Sequence, residues 1–98
     1  ILQGDFYNEF EKLEDDTIDI LHVDIANDGD VFSFVEKKYM RKVKEGIILL
    51  EGGSKERDQV DWMLKYNKTP INQVVERWKK SYSVKLVEEF PSLTILRK

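Results

Sequence analysis

Three acidic side chains, Asp5, Asp24 and Glu51, directly follow apolar runs of the sequence. A carboxylate at the end of a strand can bind a ribose hydroxyl, an amine or a hard metal ion, or it can act as a general base. Each acid can instead cap the helix that follows it. In open α/β sheets, ligands bind beyond the carboxyl ends of the strands. Three acids at one edge of one sheet therefore favour a ligand site.

The apolar runs before these acids are predicted strands. Residues 18–25 are mostly apolar and β-branched with little alternation, which is typical of a strand buried on both faces of a parallel sheet. Residues 47–50 repeat this composition between glycines, and residues 1–4 are predicted to form a first strand. Val84 to Leu96 predicts an antiparallel hairpin with Pro91 in its turn.

Helices are predicted between the strands. We expect Asp30 and Ser54 to begin two of them as N-caps, and Thr69 with Pro70 to begin a third. The third helix carries its apolar residues at helical spacing: Ile71, Val74, Val75 and Trp78. A strand, a helix and a strand within one short stretch make a βαβ unit. The sequence therefore predicts one α/β domain over residues 1–98, a Rossmann-like three-layer sandwich that ends in an antiparallel hairpin.

Composition narrows the class of function. The chain has 98 residues, a formal charge of −3, 36% charged residues and no cysteine, so it has no thiolate metal site. No apolar stretch reaches the roughly 20 residues that cross a bilayer, and the basic residues near Lys37 and Lys42 are typical of a solvated helix face. We expect a cytoplasmic protein that binds neither nucleic acid nor membrane.

Three motifs together resemble the later half of a class I S-adenosylmethionine-dependent methyltransferase. They are ILQGDF at residues 1–6, IDILHVD at residues 18–24 and VKEGIILLEGG at residues 43–53. In that family, "GD" follows the third strand, "IDxxHxD" forms the fourth, and "LxxGG" followed by an apolar residue leads into the fifth. IDILHVD is the most specific of the three, and the sequence looks nearest to small-molecule and sugar O-methyltransferases.

The resemblance implies a sheet of order 3-2-1-4-5-7-6, of which this chain would supply the later strands. The glycine-rich loop that wraps the cofactor's methionine end, and the acid that binds its ribose, have no counterpart in the chain. The 98 residues would thus be a partial methyltransferase domain, inactive in isolation, that completes its cofactor pocket only with the missing half.

The resemblance also implies roles for individual residues. Asp5 matches the acid that binds the adenine amino group, Phe6 the residue that lies against the adenine ring, and Asn27 a polar contact to methionine or substrate groups. Asp24 matches the catalytic acid that orients or deprotonates the acceptor, a small molecule or sugar, and that ligates Mg²⁺ in metal-dependent members. Glu51 would be the second metal ligand. Gly52 replaces a further acid, so a metal-assisted and a metal-free site both stay open.

Other interpretations stay beside this one. The chain can be a non-catalytic α/β module for assembly or regulation, since it lacks the cofactor half, and an exposed sheet edge would allow a homo-oligomer. Half of an NAD-dependent oxidoreductase is a weaker match. His22, placed in a buried strand, is more typical of a structural histidine than of a catalytic base. Trp62 and Trp78 are more typical of packing residues than of a substrate lid.

Overall fold

The computed structural model describes residues 6–98, and these residues form a mixed α/β structure. The strand predicted at residues 1–4, together with Asp5, lies outside the described residues.

Four strands form one sheet with the order β1-β2-β4-β3. They are β1 (Ile18–Val23), β2 (Val43–Glu51), β3 (Ser83–Val87) and β4 (Leu93–Arg97). The β1 and β2 strands are parallel, whereas β4 runs antiparallel to both of its neighbours. The predicted α/β class and the closing hairpin are confirmed, and β2 extends well beyond the predicted residues 47–50.

Short helices connect the strands. They are α1 (Phe6–Glu9), α2 (Gly29–Phe34), α3 (Asp61–Lys65) and α4 (Asn72–Trp78). A 3₁₀ turn, Phe10–Lys12, extends α1, and another, Arg57–Gln59, precedes α3. Within residues 6–98, no helix is long and apolar enough to cross a membrane.

The hydrophobic core lies on one face of the sheet. The strand side chains on this face are Leu21, Val23, Ile48, Leu50, Thr94 and Leu96. The alternating apolar side chains, which point to the other face, contribute nothing to the core: Ile20, Ile47, Leu49, Leu93 and Ile95. Both crossovers, through α2 and through α4, step across the sheet in the same direction, so right-handed connections place both helices on the same side. The core of residues 6–98 therefore lies on one face of the sheet, and the three-layer arrangement stays a prediction.

The α2 and α4 helices pack against each other over the covered face. The rings of Phe32 and Trp78 stack with centroids 5.5 Å apart, and both residues are fully buried. The predicted apolar face of α4 is thus confirmed as core.

A cluster of polar side chains lies at the edge of this contact. Arg77 forms an ion pair with Glu36 at 3.0 Å. Burial, together with the Glu36 carboxylate, raises the pKa of the Tyr82 phenol.

Two helix caps differ from the predicted ones, whereas the Ser54 hydroxyl accepts the Arg57 amide at 3.1 Å at the start of the 3₁₀ turn Arg57–Gln59. Asp28, not Asp30, caps α2, because its carboxylate accepts the Val31 amide at 2.9 Å. The α4 helix is capped by Asp58, which lies in a different loop and accepts the amides of Ile71 and Asn72 at 2.7 and 2.9 Å. The sequence does not reveal these caps, because contacts with other parts of the fold determine the residue at which each helix begins.

The end of α2 changes its winding. A π-helical turn over Val35–Tyr39 continues α2, and a 3₁₀ turn over Met40–Lys42 leads into β2. Tyr39 at the end of the π turn donates a hydrogen bond from its hydroxyl to the Phe6 carbonyl. The wider turn therefore joins α2 to α1.

A bulge sets the register between β1 and β2. Ile18 pairs with Val43 and Ile20 pairs with Ile47, so β2 accommodates two extra residues between these pairs. Gly46 lies in this bulge, and a Cβ at this position would overlap the Asp19 carbonyl oxygen. Gly46 therefore permits the close approach that brings the ends of both strands level.

We expect Gly46→Ala to lower the free energy of unfolding by about 2 kcal/mol, because the added methyl group must push β1 away from β2. Urea denaturation followed by circular dichroism measures this change. Lys44→Ala, at an exposed position of the same bulge, is the control and should be close to neutral. Equal stability of the two variants would contradict the proposed close approach.

Candidate functional site

A groove of about 730 Å³ runs along the edge of β1 that has no neighbouring strand within residues 6–98. Residues from the strand form its floor, and residues from α1, the following loop and Tyr39 form its wall. Its apolar lining consists of Phe6, Leu13, Ile18, Ile20, Leu21, Val23, Ile25 and Tyr39. Its ionisable lining consists of Glu9, His22 and Asp24. The groove is mostly apolar and carries a few polar groups, as small-molecule sites commonly do.

Stacked aromatic rings build one wall of the groove. The rings of Phe6 and Tyr39 are nearly parallel, with centroids 4.9 Å apart. Phe34 packs against Phe6 from another side at 5.4 Å. These contacts and the hydrogen bond from Tyr39 to the Phe6 carbonyl fix the position of Phe6. The residue predicted to lie against an adenine ring thus lines the groove.

Asp24 and His22 lie on the same side of β1, because Val23 between them points into the core. Both side chains are exposed, so the prediction of a buried strand around His22 is wrong. The reason is that, among the described residues, the face of β1 that carries His22 is not covered: Ile20 on this face is 64% exposed. Asp24 comes directly after β1, as predicted, and lies at the end of the groove.

The strand-end acid Glu51 has a different environment. Val23 pairs with Leu50, so Asp24 and Glu51 follow neighbouring positions on adjacent strands. However, the Glu51 carboxylate is held by Arg57, whose Nε lies 2.9 Å from one oxygen and whose second guanidinium nitrogen lies 3.2 Å from the other. Arg57 is only 5% exposed. Glu51 is thus half of a two-point ion pair.

Asn27 connects the loop after β1 to the end of β2. Its amide nitrogen donates to the carbonyls of Val23 and Glu51 at 3.0 and 2.9 Å, and its amide oxygen accepts the Ile25 amide at 3.3 Å. The Asn27 side chain is fully buried. All the polar atoms of this side chain have backbone partners, so Asn27 supports the site from inside the protein.

The predicted site residues therefore separate into two groups. Phe6 and Asp24 line the groove, whereas Glu51 and Asn27 belong to a buried polar cluster around Arg57. Asp5 lies outside the described residues. Its neighbour Phe6 is in the groove wall.

The donors present do not form a ready Mg²⁺ site. Within residues 6–98, no three histidine, aspartate or glutamate side chains converge on one point. Asp24 is a free carboxylate, but Glu51 is committed to Arg57 and Asn27 to the backbone. Metal binding at Asp24 and Glu51 stays a prediction that requires Glu51 to leave Arg57.

Sequence reasoning missed two residues of this region. Arg57 lies in a run of charged residues that is typical of a solvent-exposed segment, and the spacing of Tyr39 indicates only a place on a helix face. One signal for Arg57 was available, because a Gly52-Gly53 turn between Glu51 and Arg57 lets the chain fold back and bring opposite charges together.

Asn27→Ala should lower the free energy of unfolding by about 2–3 kcal/mol, since it leaves the carbonyls of Val23 and Glu51 without their buried donor. Chemical denaturation is the measurement. Gln73→Ala, at an exposed position on α4, is the control. A loss that is no larger for Asn27→Ala than for the control would show that these hydrogen bonds do not stabilise the strand ends.

A comparison with protein-family models gives no match for this chain, and a comparison with curated proteins gives none either. The resemblance to methyltransferases therefore depends on the sequence motifs, and function must be argued from the fold and the groove.

Proposed function

We propose that the chain is the carboxyl-terminal part of an S-adenosylmethionine-dependent methyltransferase that transfers a methyl group to an oxygen of a small molecule or sugar. One observation carries this proposal. The last strand, β4, inserts between β2 and β3, so the sheet has the order β1-β2-β4-β3. This order corresponds to 4-5-7-6, the second half of the sheet that the resemblance implies. A simple meander would instead have placed β3 beside β2.

The contents of the groove support the same proposal. Phe6 and Asp24 are far apart in sequence but line one groove at the free edge of β1. In the proposed arrangement, Phe6 lies against the adenine ring and Asp5, next to it in sequence, binds the adenine amino group. Asp24 orients the acceptor hydroxyl and takes its proton.

S-adenosylmethionine supplies an electrophilic methyl group on sulfur. The described residues would hold the adenine end of the cofactor and one side of the acceptor. The apolar lining of the groove would exclude water from the acceptor oxygen, and Tyr39 would keep Phe6 in place through their stacked rings. Asn27 would act indirectly, because it does not line the groove but its side-chain amide fixes the loop that follows Asp24.

Backbone amide NMR of the 98-residue chain tests this proposal. Titration with S-adenosylhomocysteine should shift the amides of Phe6, His22 and Asp24, with a weak dissociation constant of about 1 mM because only part of the pocket is present. Phe6→Ala should weaken this binding by about tenfold, which corresponds to the loss of one aromatic contact. Tyr66→Ala is the matched control, since Tyr66 is 63% exposed and does not line the groove.

NAD⁺ serves as the competing ligand in the same experiment. Because both ligands carry an adenine, the proposal expects NAD⁺ to shift the groove amides no more than S-adenosylhomocysteine does. If NAD⁺ shifts those amides and S-adenosylhomocysteine does not, the chain is better explained as half of an oxidoreductase and the methyltransferase proposal is wrong.

A second candidate function is an assembly or regulatory module, and the free edge of β1 favours it. Within the described sheet, β1 has a neighbour on one side only, and Ile20 beside that edge is 64% exposed. An open strand edge with an adjacent apolar side chain is a template for pairing with another chain. The proposed partner is a second copy of this chain.

Sedimentation velocity at about 100 μM should then show a dimer, because a micromolar complex is nearly complete at that concentration. Ile20→Lys should shift the chain to monomer by placing a charge at the edge. Leu64→Lys is the matched control, since Leu64 is similarly exposed, at 59%, but lies on α3. A wild-type monomer at this concentration would contradict the assembly function.

A further inference from the structure

Arg57 is a buried cation at the carboxyl end of β2. Besides its two contacts with Glu51, its guanidinium donates to the Asn27 carbonyl at 3.1 Å and lies 2.9 Å from the Met63 sulfur. The Trp62 ring lies 5.5 Å from the guanidinium carbon. Arg57 therefore joins the loop after β1, the end of β2 and α3, and it cannot leave one contact without disturbing the others.

This arrangement opposes a divalent cation at Glu51. Both carboxylate oxygens of Glu51 already accept hydrogen bonds from Arg57. Mg²⁺ requires closely spaced oxygen ligands in near-octahedral geometry, so it would have to displace the guanidinium and leave Arg57 buried without its anion. A bound Mg²⁺ would also lie close to the guanidinium charge, and the two cations would repel each other.

The backbone around Arg57 holds this position in place. The Ser54 hydroxyl accepts the Arg57 amide at 3.1 Å, and Asp58, the next residue, caps α4. Asp58 is also buried, with 8% exposure. The backbone is therefore held at Arg57 itself and at the next residue, Asp58. The fold as well as the charge directs the guanidinium at Glu51.

We propose that Arg57 takes the place of a metal ion at this sheet edge. Glu51 is then a positioning residue that aligns the two strand-end loops through Arg57, and Asp24 is the one carboxylate of the pair that is free to meet an acceptor. Chemistry at this edge is metal-independent. The statement about Asp24 and the acceptor rests on the proposed function, whereas the statement about the metal rests only on the contacts of Arg57.

Electron paramagnetic resonance of free Mn²⁺ tests the proposal, because Mn²⁺ prefers the same oxygen ligands as Mg²⁺. The full 98-residue chain is titrated with Mn²⁺ in four forms: wild type, Glu51→Gln, Arg57→Met, and the double variant Arg57→Met with Glu51→Gln. The wild type should bind no Mn²⁺ more tightly than about 1 mM. Arg57→Met should bind at least about tenfold more tightly, and the double variant should lose that gain.

Two results overturn the proposal. One is Mn²⁺ binding by the wild type that Glu51→Gln abolishes. The other is a folded Arg57→Met variant that gains no affinity for Mn²⁺. Where Arg57→Met does not fold, Arg57→Gln replaces it, since glutamine also removes the positive charge but keeps a donor for the Asn27 carbonyl. Arg57→Gln should then show the same gain, and no gain overturns the proposal.

The outcome is separate from that of the cofactor titration. A chain that binds neither Mn²⁺ nor S-adenosylhomocysteine retains the Arg57 proposal and loses the methyltransferase function. A chain that binds S-adenosylhomocysteine and also binds Mn²⁺ through Glu51 retains the methyltransferase function and loses the Arg57 proposal.

Discussion

The buried guanidinium of Arg57 is the constraint on which the candidate site depends. A buried cation is stable only when its charge is paired and its donors have acceptors, because removal from water costs several kcal/mol. Arg57 meets this requirement with the carboxylate of Glu51 and the carbonyl of Asn27. Glu51 is the last residue of β2, and Asn27 lies in the loop between β1 and α2. The need to neutralise one cation thus fixes two loops and the end of β2 relative to each other.

The consequence for the site is a division of labour between two neighbouring acids. Asp24 and Glu51 lie at matching positions at the ends of adjacent strands, so the sequence alone gives no reason to assign them different roles. The structure makes them unequal, since only Glu51 has a buried cation as its partner. Acidic side chains at matching positions thereby serve two purposes: Asp24 faces the groove, and Glu51 supports the loop behind it.

Much of the architecture could be predicted from the sequence. Local patterns with a direct physical cause identify β1, β2 and α4. These patterns are the β-branched runs, the glycines at positions 46 and 52 that bound the second run, and the helical spacing from Ile71 to Trp78. His22 was placed wrongly because periodicity reports that a strand is apolar and does not report which face is covered. The roles of Asp58 and Arg57 are not visible in the sequence, because the amides that Asp58 caps and the Asn27 carbonyl that Arg57 meets are distant along the chain. Charged residues beside one another also ordinarily face water.

The π-helical turn at the end of α2 has a consequence for variation among proteins of this kind. A π turn contains one residue more than the α-helical path between the same two ends, so it corresponds to a single-residue insertion in a helix. If Val35–Tyr39 wound as a regular α-helix with no residue deleted, Tyr39 would turn by about 100° about the helix axis. The aromatic wall of the groove would then lose the ring that stacks on Phe6. The length of this helix is thus coupled to the shape of a groove that the helix borders only at its last turn.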